Sequence, residues 1–468
     1  MRRAAKAAGM LVVVNVPNVP STPPFGTFTT SNMPAAFAAR LIYDQNNVYV
    51  GLTSSLGAGQ GLNQNQQNVA TSLNTYFNGD GVLTERFGSL FALTGQSLRN
   101  ALSQVSGEIA TQSAQAAFSS VDYFLNLMLD PFVTGRGGVA TNGAGANNYA
   151  AEDSEADAYA AKRKRSPAEQ DAYAAMARKA PARNNLLDPR WSVWGAAYGG
   201  EVKANGDGAV GARDASTRAF GFAAGADYRF SPATLVGVAL SGGGTSFSLA
   251  QGAGSGRSDV FQAGAFVRHT IGQAYLKGAV AYGWHDVTTD RTVAVAGIDK
   301  LEGRYNANSF AARGEVGYRY ATPWMGVTPY AAAQSITYFQ PGYADSVAAG
   351  LNTFALNYAS RDITSARTEL GLRADRSFVL QTALLTLRGR AAWAHYFDDS
   401  RALTASFQTL AAPAFVVTGA AQARDAALVS ASADVNWLNG FSLAGVFEGE
   451  FSGQTRGYAG KGILRYQW

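Results

Sequence analysis

The chain has 468 residues, of which 47% are hydrophobic, and it carries a net charge of +5 with no cysteine. It contains no uninterrupted apolar run of the roughly 18 residues that a membrane-spanning helix needs, and without cysteine it can form neither disulfides nor thiolate metal sites. Its arginines are scattered through the sequence and not gathered on one patch, so no nucleic-acid partner is expected.

The N-terminal region combines a signal-like start with short predicted strands. Three basic residues precede the apolar stretch at 9–16. That stretch is short and lacks a small-x-small cleavage site, so we expect a truncated or misassigned start. Strands are predicted at 26–30 and 38–52, the latter folded around an Asn-Asn turn. We interpret residues 1–60 as the last β rungs of a larger element.

From residue 61 to residue 132 the apolar residues recur at helical spacing, which predicts short amphipathic helices. Their apolar sides are expected to pack in a core and not to form a cofactor site. The residues that carry this pattern are Val69, Leu73, Tyr76, Phe77, Leu98, Leu102, Val105, Phe118, Val121, Leu125 and Met128.

Residues 133–189 are predicted to be a linker that contains one helix. The stretch 133–150 consists largely of Gly, Asn and Ala, which bury too little apolar surface to order a chain. Ser166, Pro167 and Glu169 then form the sequence pattern of a capping box, so a helix should begin at Pro167. It would include Arg178 and end before Pro181. Its length of roughly 20 Å is close to the apolar height of an outer-membrane barrel, about 25 Å.

After residue 190 the pattern changes to a period of two. Between Phe220 and Phe230, for example, every second residue is Phe, Ala or Tyr. Such alternation also occurs in soluble β-sandwiches, but here aromatic residues cluster near the strand ends, as they do in membrane barrels. We therefore predict an all-β transmembrane barrel of about 12 antiparallel strands over residues 190–468. The predicted strands are 191–201, 217–230, 234–248, 257–270, 273–288, 305–320, 325–340, 353–377, 382–398, 424–438, 440–453 and 456–468. The long intervals 289–304, 341–352 and 399–423 should be extracellular loops.

The alternation places charged residues on the face opposite to the apolar one, where they should line the lumen. Two roles are open for them: they could order the linker helix inside the pore through charge-assisted hydrogen bonds, or pair only with one another in water. The predicted lumenal charges are Arg313, Glu315, Arg319, Arg367, Glu369, Arg388, Arg390, Glu448 and Glu450.

Several segments, taken together, resemble the autotransporter β-domain of type V secretion. Pro189–Gly200 (PRWSVWGAAYGG) resembles its first strand and Arg456–Trp468 (RGYAGKGILRYQW) its last. Ala101–Glu108 (ALSQVSGE), within the segment 75–118, is similar to the end of a passenger just before the barrel. The segment 43–52 (YDQNNVYVGL) is similar to the closing rungs of a passenger β-helix.

This resemblance implies a translocator in the cell outer membrane, surrounded by outer-membrane lipid. The barrel would insert with the help of periplasmic chaperones and the barrel-assembly machinery, move its own N-terminal passenger to the cell surface, and keep the linker helix in its pore. The family's assembly signal at the C-terminus is matched by Lys461, Tyr466 and Trp468, whereas Ile463 stands where Gly is usual.

No catalytic, cofactor or metal site is predicted, and we do not expect an enzyme. Histidine occurs only at 269, 285 and 395, all in predicted strands, so the segment before the barrel cannot form a Ser-His-Asp triad. Two alternatives remain open. One is a porin-like channel, which predicts an open lumen with no helix inside. The other is a surface hydrolase around His395, Asp398 and Asp399.

Overall fold

The computed structural model describes residues 10–15, 35–43, 47–129, 190–397 and 401–468. The predicted strand at 26–30 and the predicted linker helix with Ser166, Pro167, Glu169 and Arg178 lie outside these residues.

The N-terminal part forms a small antiparallel sheet of three strands, β1 (Met10–Asn15), β2 (Phe37–Tyr43) and β3 (Asn47–Ser54), in the order β1-β3-β2. The hairpin β2–β3 corresponds to the strands predicted over 38–52, and the apolar stretch at 9–16 supplies β1. Its assignment to the last rungs of a larger element stays a prediction.

Four α-helices and one short 3-10 helix follow. They are α1 (Gln64–Asn78), α2 (Glu85–Phe91), α3 (Gly95–Val105), the 3-10 helix Glu108–Thr111 and α4 (Gln112–Met128). The capping residue of α1 is Asn63, whose side chain accepts from the Gln66 backbone while the Gln66 side chain accepts from the Asn63 backbone. In these helices, all of the apolar residues predicted to face a core are buried, apart from Tyr76, which is half-buried. Within the described residues, no helix has both the length and the apolar character needed to cross a membrane.

The C-terminal part is a closed antiparallel β-barrel. Its strands and loop strands are β4 (Trp191–Ala204), β5 (Ala215–Ser231), β6 (Thr234–Leu249), β7 (Ser255–Ile271), β8 (Ala274–Val293), β9 (Asp299–Tyr318), β10 (Tyr320–Ala321), β11 (Gly326–Gln340), β12 (Tyr343–Ala349), β13 (Leu356–Tyr358), β14 (Arg361–Val379), β15 (Ala383–Tyr396), β16 (Ala402–Phe407), β17 (Phe415–Thr418), β18 (Asp425–Trp437), β19 (Phe441–Phe451) and β20 (Thr455–Gln467). Among the described residues, twelve of them form the wall, in which β11 pairs with β9 and β14, β15 pairs with β18, and β20 closes the ring on β4. The predicted fold class and strand number are confirmed.

Two predicted boundaries were wrong. The strand predicted over 353–377 begins only at Arg361, because residues 343–358 form the loop strands β12 and β13. The interval 289–304, predicted to be a loop, is mostly strand: β8 and β9 stay paired as far as Val293 and Asp299. These strands extend past the lipid-facing apolar residues, where outward positions become polar and the apolar pattern no longer identifies a strand.

Side chains alternate between the two faces of the wall as predicted. Phe220 and Phe222 on β5 point outward, with 60% and 71% of their surface exposed. On β9 and β14 the charged residues Arg313, Glu315, Arg367, Glu369 and Arg373 point inward and are buried. An exposed apolar belt outside and a polar interior are the pattern of a transmembrane barrel.

The two ends of the barrel differ in their connections. At one end, here called the short-turn end, strands are joined by tight turns such as 232–233 and 272–273, and β4 starts and β20 ends there. At the other, the long-loop end, the connections include 341–360 and 397–424, each with its own short strands. Helices α1–α3, here called the cap, contact this long-loop end: Phe87 of α2 lies 4.9 Å from the Phe354 ring and 5.1 Å from the Phe407 ring.

Candidate functional site in the barrel lumen

Helix α4 lies inside the barrel and contacts the inner faces of β4 to β9 and β11. Fourteen of its 17 residues are buried, including the polar residues Ser113, Ser119 and Ser120, and Gln115, Asp122 and Asn126 are half-buried. A surface helix would have one polar, solvated side, so burial to this extent follows from enclosure by the wall. The sequence predicted a helix here but not that it would occupy the lumen.

The chain enters the lumen at the long-loop end, where Glu108 fixes the start of this segment. The loop 205–214 holds Arg213, whose backbone N–H donates to Glu108 Oε1 at 2.6 Å and whose Nη1 donates to Oε2 at 2.8 Å. Burial raises the pKa of the Glu108 carboxyl, and Arg213 opposes this shift through its hydrogen bonds and charge.

The helix ends close to the short-turn end. The carbonyl of Leu129 accepts a hydrogen bond from Lys277 Nζ at 2.9 Å, and Lys277 lies near the start of β8. Met128 fits against a lumen-facing glycine: a Cβ on Gly264 would come within 2.6 Å of Met128 Cε. The segment 108–129 therefore passes through the barrel from one end to the other.

Asp122 anchors the middle of α4 to the wall. Its Oδ1 accepts from Arg367 Nη2 at 2.7 Å and from Gln334 Nε2 at 2.9 Å. The next residue, Tyr123, packs where β4 has a glycine, since a Cβ on Gly200 would lie 2.4 Å from Tyr123 Oη. Charge-assisted hydrogen bonds of this kind are stronger than neutral ones, especially away from bulk water.

Two buried carboxylates organise the lumenal charges. Glu369 accepts from Arg313 Nη1 and Nη2 at 2.6 and 2.8 Å, and Arg367 Nη2 is 3.1 Å from its Oε1. Glu315 lies 2.9 Å from Lys277 Nζ and accepts from Arg373 Nη2 at 2.8 Å. Buried charges are tolerated only when they are paired and hydrogen-bonded, and the register of β9, β11 and β14 brings these partners together.

All nine predicted lumenal charges face the interior of the barrel. Besides the residues above, Arg319 pairs with Asp375 at 2.6 Å, Arg388 with Asp434 at 3.3 Å and Glu448 with Lys461 at 2.8 Å, while Arg390 lies 4.0 Å from Glu369 and Glu450 accepts from Tyr396 Oη at 3.0 Å. Most of them pair with other wall residues. Arg367 contacts both the wall and α4, and the predicted role of these charges toward the linker helix stays a prediction.

Sequence reasoning missed Asp122, Lys277 and Gln334. Asp122 carried a usable signal, because it is the single charged residue between Gln112 and Leu129. A lone carboxylate on an otherwise uncharged helix needs a partner. Nothing local in the sequence indicated that the partner would be Arg367, 245 residues away.

The predicted assembly-signal residues lie on the last strand. Tyr466 and Trp468 point outward with stacked rings 5.7 Å apart, and Tyr466 also lies 4.7 Å from the Phe441 ring. Lys461 faces inward and is buried. The terminal aromatics therefore belong to the lipid-facing surface at the short-turn end, and their role in assembly stays a prediction.

His395, the centre of the hydrolase alternative, points outward. Its Nδ1 lies 2.9 Å from Asp425 Oδ1, and Trp393 Nε1 donates to the same oxygen at 3.0 Å. Asp398 and Asp399 are outside the described residues. Within the described part of the chain, no group of three or more His, Asp or Glu residues could hold a metal ion.

A family model for the autotransporter beta-domain matches residues 193–448, more than half of the chain. An extracellular serine protease from Serratia marcescens is 26% identical over 196 residues, which are 42% of this chain and 18% of that protein. A second protein of the same description and organism is 26% identical over 180 residues, 38% of this chain and 17% of its own length. The chain thus spans less than a fifth of the length of these curated relatives.

Among solved structures, the chain is similar to the translocator domain of the autotransporter NalP from Neisseria meningitidis, with 17% identity and a TM-score of 0.48 over 64% of this chain and 97% of that one. The beta domain of the Bordetella autotransporter BrkA matches with 16% identity and a TM-score of 0.45, over 60% of this chain and 100% of that one. The family-model match covers nearly the whole barrel. The chain therefore belongs to the autotransporter β-domain family, and its barrel is an outer-membrane translocator for an N-terminal passenger.

Proposed function

We propose that segment 108–129 is the tether that joins a passenger at the cell surface to the barrel, and that the cap is the part of the passenger nearest the membrane. The observation that carries this proposal is the course of the chain through the lumen. It enters beside Arg213 at the long-loop end and leaves beside Lys277 near the short-turn end, where β4 later begins.

The orientation follows from the connections. Bacterial outer-membrane barrels have short periplasmic turns and longer extracellular loops. The long-loop end therefore faces the outside, and everything before Glu108 lies on the cell surface. On this basis we retain the division into passenger remnant (1–60), pre-barrel helices (61–132), linker (133–189) and translocator (190–468) as part of the proposal.

The lumenal network supports a tether that stays in place. Arg367 and Gln334 bind Asp122, and Lys277 binds the last carbonyl of α4, so the wall offers partners along the whole helix. A porin-like channel would need an open lumen with no helix, and α4 contradicts that expectation. We further propose that Lys461, Tyr466 and Trp468 present the last strand to the barrel-assembly machinery after delivery by periplasmic chaperones.

The proposal is tested by single-channel conductance of the purified full chain in planar bilayers. Deletion of 112–129 should raise the conductance severalfold, because it removes the helix that fills the lumen. Deletion of 150–185 is the matched comparison, since it removes the predicted helix with Ser166, Pro167, Glu169 and Arg178.

Deletion of 150–185 should raise the conductance only if the predicted linker helix also occupies the pore. A conductance unchanged by the first deletion would refute the tether. Orientation is tested separately: a cysteine introduced at Val82, which is 80% exposed on the cap, should react with a membrane-impermeant maleimide on intact cells.

A further inference from the structure

Three cations form a cluster on the outer, lipid-facing surface of the barrel at the long-loop end. Lys203 on β4, Arg218 on β5 and Arg456 on β20 all occupy outward positions of neighbouring strands. The side chains of Lys203 and Arg218 are 66% and 69% exposed, and Arg456 is exposed as well. They are therefore available to a molecule outside the barrel.

The cluster has more positive charge than its own carboxylate can balance. Glu201 accepts from Arg218 Nε at 3.1 Å and lies 3.7 Å from Lys203 Nζ. Lys203 stands directly opposite Arg456 in the β4–β20 pairing, with no carboxylate between them. Like charges placed directly across two strands destabilise the sheet, so this arrangement favours an anion bound between them.

The position of the cluster relative to the apolar belt indicates what kind of anion can reach it. Toward the apolar belt, the next outward residue after Arg218 on β5 is Phe220, and the next after Arg456 on β20 is Tyr458. Their side chains are 60% and 49% exposed. Outward residues two positions apart are separated by about 7 Å along a strand. Exposed aromatics mark the membrane interface, which places the cations at the level of the lipid headgroups.

We propose that Lys203, Arg218 and Arg456 bind the phosphate groups of a lipid headgroup in the leaflet at the long-loop end. Three cations and one carboxylate leave two positive charges, which match a headgroup with two phosphates. Arginine can hold a phosphate through two parallel N–H donors while lysine adds a point charge, and basic residues near a membrane surface attract anionic lipid.

The test uses the full chain, purified in a neutral detergent, and native mass spectrometry with lipid A as the probe, either carrying two phosphates or enzymatically dephosphorylated. Wild-type protein should bind the bisphosphorylated form at least tenfold more tightly. Replacement of all three cations, Lys203→Gln, Arg218→Gln and Arg456→Gln, should abolish that preference. Each single change should weaken binding about fivefold, the effect expected of one basic residue at a membrane surface.

The matched control is Arg304→Gln. Arg304 is also exposed and outward-facing at the level of Arg218, but it lies four strands away on β9 and is paired with Glu302. This variant should bind like the wild type. Equal binding of both lipids by wild-type protein, or equal binding by the triple variant and the Arg304→Gln control, would overturn the proposal.

A second measurement, on the single variant Arg456→Gln, tests the site if the triple variant fails to fold. Arg456→Gln removes the like-charge pair, so in lipid-free neutral detergent it should unfold at a higher temperature than the wild type. Added bisphosphorylated lipid A should raise the unfolding temperature of the wild type more than that of the variant. Stabilisation of both proteins to the same degree would count against the site. Neither lipid measurement depends on conductance or on a passenger, so the lipid site can fail or hold independently of the proposed tether.

Discussion

At the scale of single residues, the lumen is held together by charges whose partners come from distant strands. Glu369 faces Arg313 and Arg367, and each partner is almost fully buried. Exchange of a buried ion pair for apolar residues is often neutral, but removal of one partner leaves a buried charge uncompensated. The carboxylate of Glu369 is therefore needed to compensate the two buried arginines, although the ion pairs themselves need not add net stability.

We predict that Glu369→Ala lowers the free energy of unfolding by about 3–5 kcal/mol, because Arg313 and Arg367 lose their shared carboxylate. Urea unfolding in detergent, followed by tryptophan fluorescence, measures the change. Glu302→Ala is the control: its outward-facing ion pair with Arg304 leaves the arginine two-thirds exposed, so the loss of stability should be much smaller than that in Glu369→Ala. Similar losses in the two variants would contradict the prediction.

At the scale of elements, α4 fits the lumen because the wall has glycines where the helix has large side chains. Gly200 leaves room for Tyr123 and Gly264 leaves room for Met128. Interiors are close-packed, so a side chain added at either glycine must displace the helix or the wall. The helix contributes its own fit through small residues such as Ala114 and Ala117, which are buried against the strands.

We predict that Gly200→Val loosens α4, because its Cβ would come within 2.4 Å of the Tyr123 hydroxyl and 2.7 Å of the Tyr458 carbonyl oxygen. Overpacking of this kind costs about 1–3 kcal/mol. Hydrogen exchange of the α4 amides should become faster, and single-channel conductance should rise. The control is Gly242→Val, an outward glycine with nothing within 4 Å of an added Cβ. Unchanged hydrogen exchange in Gly200→Val would show that the packing of α4 does not require a glycine at position 200.

At the scale of the whole molecule, the cap, α4 and the barrel share one continuous hydrophobic core. It contains Leu73 and Phe87 of the cap, Phe124 of α4, and Phe354 and Phe407 from the long-loop end. The cap contacts the loop strands as well as the core: Asn65 exchanges two hydrogen bonds with Thr418 of β17, at 2.8 and 2.9 Å. The cap therefore contacts both the core and the loops at the long-loop end.

We predict that Phe87→Ala detaches the cap while the barrel stays folded. The change removes both ring contacts to the loops and should cost about 3–5 kcal/mol. Limited proteolysis should then cleave within 64–105, whereas the barrel keeps its heat-modifiable migration in electrophoresis. Val82→Ala, at a cap residue that is 80% exposed, should leave the cleavage pattern unchanged. A resistant cap in Phe87→Ala would mean that the cap folds without the barrel.

Features that repeat locally along the chain could be predicted from the sequence. Alternation along β5, β9 and β14 predicted the two faces of each strand, the strand number and the lumenal position of all nine charges, because successive side chains on a strand must point to opposite faces. Helical spacing predicted α1, α3 and α4 in the same way. The resemblance to the autotransporter β-domain depended on the segments 43–52, 101–108, 189–200 and 456–468 and on their order along the chain.

Which side chains contact one another could be seen only in the folded barrel. Closure of β20 on β4 and the register of β9, β11 and β14 bring Arg367 next to Asp122 and Lys277 next to Leu129. The apolar spacing of α4 could not distinguish a helix on the surface from one inside the barrel, because both need apolar residues at the same intervals. The position of a residue on its own strand or helix is fixed by local geometry, whereas its partner depends on how distant segments are placed in space.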